Sequence, residues 1–126
     1  MGLAMNKTIL ISIHPEFVEK ILSGEKLFEF RRKLPSTKVN KIVIYCTSPV
    51  MKIVAIAEIT DTISDKPDRL WKATRHASGI TEAFYTKYFD DRETAHALCL
   101  GRVRRLENPV SLNRISSSLK APQSYR

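Results

Sequence analysis

The hydrophobic pattern changes period twice within the first 32 residues. TILISI (8–13) is a short apolar run of strand length. In the following HPEFVEKILSG, Phe17, Val18, Ile21 and Leu22 recur at helical spacing, while Glu16, Glu19 and Lys20 fall on the side expected to face water. Pro15 suits the first helical position and Gly24 the position just past the last. After Gly24 the period drops to two: Phe28 and Phe30 point one way, and Leu27, Glu29 and Arg31 the other.

Further along, KLPSTK (33–38) reads as a loop. KIVIYCT (41–47) and KIVAIAEITDT (52–62) are β-branched runs that should pair through the TSPVM turn, where Ser48-Pro49 ends the first of them. DKPDRLWKATRHASG predicts a helix that starts near Pro67 and is finished before Gly79; Thr81-Glu82-Ala83-Phe84 opens another, to about Phe89. ETAHALCLGRVRRL (93–106) reads as a last long strand, bent at Gly101, and the tail beyond it holds two prolines and few core-grade residues. These elements amount to an α+β fold of about five or six strands and about three short helices. Without βαβ alternation, a small mixed barrel decorated by helices is favoured over a doubly wound sheet. A single domain should span 1–126, with residues 1–6 flexible, since 126 residues support one substantial core.

Composition narrows the function classes. Hydrophobic content of 43% with 27% charged residues fits a soluble globular chain. No apolar run approaches the roughly 18 residues of a membrane span, and the start lacks the pattern of a secretory signal, so the expectation is a cytoplasmic protein with no membrane partner. Cys46 and Cys99 lie in separate apolar runs and read as buried free thiols, although two cysteines permit one disulfide. No cysteine or histidine pair has zinc-ligand spacing; neither metal nor cofactor is expected.

The net charge of +8 is concentrated in two blocks. Residues 20–41 carry seven bases against two acids, and residues 102–126 six against one. Such blocks suit a polyanion, which points to nucleic acid; the plain alternative is a solvated basic surface.

The first basic block contains the chain's most suggestive stretch, GEKLFEFRR (24–32). A compact ammonium on Lys26 and a planar fork on Arg31 suit phosphate or a base edge, and Glu29 could accept from an exocyclic amino group or simply hold Arg31. Strict alternation would put Lys26 and Glu29 on opposite faces. They converge only if Lys26 sits in the turn, before regular strand begins. Read without further context, Glu29 and Arg31 are an exposed ion pair on one strand face, worth about 0–1 kcal/mol.

Ser12-Ile13-His14-Pro15, then Lys20 through Lys26, then Phe28-Glu29-Phe30-Arg31-Arg32 resemble the ASCH (activating signal cointegrator-1 homology) domain. Its G-x-K-x-x-E-x-R motif is met by Gly24, Lys26, Glu29 and Arg31. Tyr45 through Pro49, Leu70-Trp71 and the terminal Pro122-Gln123-Ser124-Tyr125-Arg126 echo the family in the expected order. The resemblance implies a barrel similar to the pseudouridine-synthase and archaeosine-transglycosylase (PUA) domain. It also implies a cleft beside the first helix, lined by the motif, with RNA or a modified nucleoside as ligand. Ligand contacts are then expected from Lys26, Glu29, Arg31, Arg32, Ser48, Gln123 and Ser124, with Tyr125 stacking on a splayed base.

Catalysis stays open at this point. One branch of the fold resembles an amidohydrolase acting on N4-acetylcytidine, but Glu29 stands where that branch has a threonine. Some ASCH proteins are suggested to cleave RNA, for which Lys26, Glu29 and Tyr125 are the candidates. A protein-interaction module is a third possibility. Of the remaining residues, Trp71 reads as core, His14 as a helix-start residue, and His76 and His96 as structural. Glu58 is either an edge position or points into the cleft.

Overall fold

His14 stands in extended conformation ahead of Pro15, and Gly24 takes φ +88° after Ser23, so backbone geometry closes helix α1 (Pro15–Ser23) at both ends. Val18 and Ile21 bury its apolar stripe, with Phe17 and Leu22 partly covered beside them. Lys20 departs from expectation. It is half-buried, and its Nζ donates to the Gly79 carbonyl at 3.2 Å.

The computed structural model describes residues 7–114; the terminal stretches 1–6 and 115–126 lie outside the described residues. Around α1 the chain runs β1 (Lys7–Ile13), β2 (Phe28–Arg31), β3 (Val39–Cys46), β4 (Lys52–Asp65), α2 (Pro67–Thr74), α3 (Glu82–Tyr88) and β5 (Ala95–Val110). Short 3-10 turns occupy Arg75–Ala77 and Leu112–Arg114. The five strands form one sheet in the order β1-β3-β4-β5-β2. β1 runs parallel to β3, and every other neighbouring pair is antiparallel.

The strand count and helix count agree with the pattern in the sequence. Closure into a barrel does not follow: among the described residues, β1 and β2 remain the two edges of an open, mixed sheet. The strand pairing is irregular around Gly101, where the sequence suggested a bend. The β4–β5 register slips between Ala57 and Ile59, and a side chain on Gly101 would come within 2.6 Å of Thr60 Cγ2. Glu58 is exposed opposite Lys41 on β3, outside the cleft described below.

Three apolar clusters hold the fold. The main one joins α1 to the inward residues of β1, β3, β4 and β5, with Ile11, Ile42, Ile44, Ala55 and Ala57 fully buried. A second, aromatic one packs Phe30 against Tyr85, Phe89 and Leu70, beneath α2 and α3. Trp71 leans on this cluster, 4.7 Å from the Tyr85 ring, and is half-buried. On the third, Leu112 covers Tyr45 and Ile53, so the segment after the last strand contributes more to the core than its composition suggested. Cys46 is buried and Cys99 half-buried, both as free thiols. Among the described residues no helix is long and apolar enough to cross a membrane.

Candidate functional site

The strand period begins at Phe28, two residues after Lys26, and the intervening turn decides the site. Lys26 N–H donates to the Lys20 carbonyl at the end of α1, and Leu27 N–H to the Ala77 carbonyl. These bonds rotate Lys26 out of the alternation that β2 obeys. Its side chain therefore joins Glu29 and Arg31 in a single cleft of about 310 Å³.

The cleft lies between the two edge strands. Ser12, Ile13 and the following His14 line it from β1, and Glu29, Phe30 and Arg31 from β2. Phe17 of α1 and Phe84 and Tyr88 of α3 close its sides. Phe17 and Phe84 meet edge-to-face at 5.4 Å, giving the cleft an aromatic wall whose outer member, Phe84, is exposed.

Lys26 is 3% exposed, an unusual position for a lysine. Its Nζ donates to the Ser78 carbonyl at 2.7 Å and lies 5.0 Å from the Phe30 ring centroid and 5.6 Å from that of Phe17. Burial lowers its pKa below the ordinary lysine value; Glu29 opposes that shift and Lys20 adds to it. Glu29 moves the other way. Burial raises its pKa, against the pull of Lys26 and Arg31. Arg31 Nη1 stands 3.6 Å from Glu29 Oε2, with the two side chains only 6% and 12% exposed. This is a sheltered pair, not the solvent-exposed one that spacing alone would suggest.

Arg32 is exposed at the cleft's rim and is not merely solvated. Its Nε donates to the Tyr88 carbonyl at 2.8 Å, its guanidinium carbon lies 4.2 Å from the Tyr88 ring centroid, and Tyr88 Oη donates to the Phe30 carbonyl. Burial raises the Tyr88 pKa. His14 both precedes α1 and lines the cleft, 6.1 Å from the Phe17 ring. His96 Nδ1 lies 2.6 Å from Ser64 Oγ, and His76 packs on Phe28.

Ser48 is not part of the cleft lining. It lies exposed in the β3–β4 turn, which is tied by Thr47 N–H to the carbonyl of Ile13, a lining residue. Gln123, Ser124 and Tyr125 lie outside the described residues. The hydrophobic pattern assigns Phe17 to the buried stripe of the first helix and gives Phe84 and Tyr88 no role, yet all three line the cleft. The signal was present in EAFYTKYF: Tyr85 and Phe89 bury one stripe, which leaves Phe84 and Tyr88, also four apart, on a second. Among the described residues no group of three His, Cys, Asp or Glu side chains could hold a metal ion.

Comparison with known proteins agrees with this fold. The ASCH domain profile matches residues 11–104. A Zymomonas mobilis protein named ASCH domain-containing ribonuclease is 32% identical over 122 residues, spanning 94% of this chain and 82% of that protein. The crystal structure of ASCH from Zymomonas mobilis superposes with a TM-score of 0.84 at 31% identity, over 91% of this chain and 82% of that one. The chain belongs to the ASCH domain family.

Proposed function

We propose that the protein binds RNA, seating an unpaired nucleotide in the cleft between β1 and β2. The observation that carries this reading is the convergence of Lys26, Glu29 and Arg31 in one sheltered hollow. Its aromatic wall offers a face for a base, its two cations offer donors to phosphate or carbonyl oxygens, and Glu29 offers an acceptor. A volume of about 310 Å³ suits a single nucleotide.

RNA cleavage is the second reading, favoured by the name of the Zymomonas mobilis relative. Lys26 and Glu29 have proton affinities shifted toward one another by burial, a property of groups that exchange protons with a substrate. For phosphodiester cleavage one of the pair would take the proton from a 2′-hydroxyl as its oxygen bonds to phosphorus, and the other would protonate the 5′-oxygen as its bond to phosphorus breaks, leaving a 2′,3′-cyclic phosphate and a 5′-hydroxyl.

A labelled single-stranded RNA and its duplex form, each incubated with the wild type and with Lys26→Ala, test both readings. Binding is followed by anisotropy and integrity by gel. The proposal expects preference for the single strand, affinity that falls with salt, and loss of binding in the variant. Equal binding by Lys26→Ala at moderate salt would remove the cleft from the account. Shortened RNA with the wild type alone would assign cleavage; intact RNA throughout would leave binding as the activity.

A further inference from the structure

The rim of the cleft carries an arrangement that a nucleoside in the hollow would not use. The Arg32 guanidinium carbon lies 4.2 Å from the Tyr88 ring centroid, and its Nε is spent on the Tyr88 carbonyl at the C-terminal end of α3. Tyr88 is itself held by its hydroxyl on the Phe30 carbonyl. Of the five guanidinium N–H groups, only the one on Nε has a partner among the described residues, and the four on the two Nη atoms do not. A long cationic side chain normally loses considerable rotamer freedom on gripping a ligand. Here the Tyr88 contact and the Nε bond already restrain it, and it stands exposed on the lining of the cleft.

A planar fork held this way suits one chemistry above others: two oxygens of a phosphate, gripped side by side. Exposed Phe84, also on the cleft lining, offers an apolar face suited to a base outside the hollow. Resting on the RNA reading above, the geometry points to a second subsite at the rim, in which Arg32 on its Tyr88 platform binds the phosphate joining the seated nucleotide to its neighbour. The substrate class is therefore an oligonucleotide and not a free nucleoside, because a nucleoside leaves this fork empty.

Arg32 has a competing, purely structural role, since a cation at the end of α3 also satisfies a terminal carbonyl. The two roles make different predictions. Binding of uridine and of 2′-O-methyl octauridylate, which lacks the 2′-hydroxyl nucleophile, is measured for wild type, Arg32→Gln and Arg32→Lys, with thermal unfolding of each variant recorded alongside. The wild type is expected to bind the octamer at least about tenfold more tightly than uridine. Arg32→Gln should weaken the octamer roughly tenfold and lower its salt slope by about 0.7, leaving uridine unaffected. Arg32→Lys keeps the point charge, so it should restore the salt slope but only part of the affinity.

The rim subsite is overturned if Arg32→Gln leaves octamer affinity and salt slope unchanged. It is equally overturned if the variant weakens uridine and octamer alike, which is the structural outcome, or if the wild type binds the octamer no more tightly than uridine. Failure of the wild type to bind either ligand would remove the RNA reading itself, and the subsite with it. An octamer bound identically by wild type and variant removes the subsite alone.

Discussion

Gly79 and Lys26 occupy adjoining space so closely that no third carbon fits between them: a Cβ on Gly79 would lie 2.6 Å from Lys26 Cβ and 2.7 Å from its Cγ. Gly79 also sits at φ +70°, and the carbonyl just before it, that of Ser78, accepts from Lys26 Nζ. Gly79, in the connection that leads into α3, therefore shapes the space that holds the buried ammonium. Gly79→Ala should destabilise the protein by about 1–3 kcal/mol from overpacking, with strain at positive φ adding about 1 kcal/mol. It should weaken RNA binding as well. Gly24→Ala is the control, since its φ is +88° but open space surrounds it; about 1 kcal/mol of stability should be lost, with binding intact. Denaturant titration and anisotropy on the two variants decide the matter.

Glu29 sets a pH dependence of known sign. Its folded-state pKa is raised by burial, so between the ordinary value of 4.5 and that raised value the folded chain holds more protons than the unfolded one. Wild-type stability contributed by this group is full below 4.5 and declines as pH rises through the folded value. Glu29→Gln removes that decline. The stability difference between variant and wild type should therefore move in favour of glutamine as pH rises from about 4 to 7. Chemical denaturation at both ends of that range measures it, and a difference independent of pH contradicts the assignment.

Lys26 gives the opposite limb. Its folded pKa is lowered by burial, so its ammonium deprotonates before the ordinary 10.5 is reached, and the associated stability rises as pH climbs through that interval. RNA affinity should consequently fall on the alkaline side while the fold persists. In Lys26→Ala the affinity is already low and that alkaline component is absent. Anisotropy and circular dichroism followed over the same pH series separate loss of binding from unfolding.

Thr81 supports the aromatic wall at a distance. Its Oγ1 accepts from Phe84 N–H at 3.1 Å and caps α3, the helix that carries Phe84 and Tyr88. Thr81→Ala should cost about 1 kcal/mol, and Thr81→Ser should recover most of it. Thermal unfolding of the three proteins is the measurement.

Element order and helix ends were legible from local signals. Pro15 and Gly24 bound α1, and Thr81 opens α3 where its side chain can cap. Those signals act within a few residues, so the sequence contains them whole. The convergence of Lys26 with Glu29 was legible only as a condition, because it depends on Leu27 N–H reaching Ala77, fifty residues away. Ser48 illustrates a related limit: its type suits a site, but where its turn falls relative to the cleft lining depends on the tertiary fold, and it is not among the lining residues. The open sheet edge was not legible at all. Period-two alternation reports which face is buried and says nothing about whether β1 and β2 pair.

A crystal soaked with a short single-stranded oligoribonucleotide tests the central claim most directly. The account predicts density for a nucleotide between β1 and β2, with its polar atoms in hydrogen-bond reach of Lys26 Nζ or Arg31 and its base against Phe84 or Phe17. An oligonucleotide ordered instead along Arg102, Arg104 and Arg105 of β5, with no nucleotide beside Lys26, would contradict it.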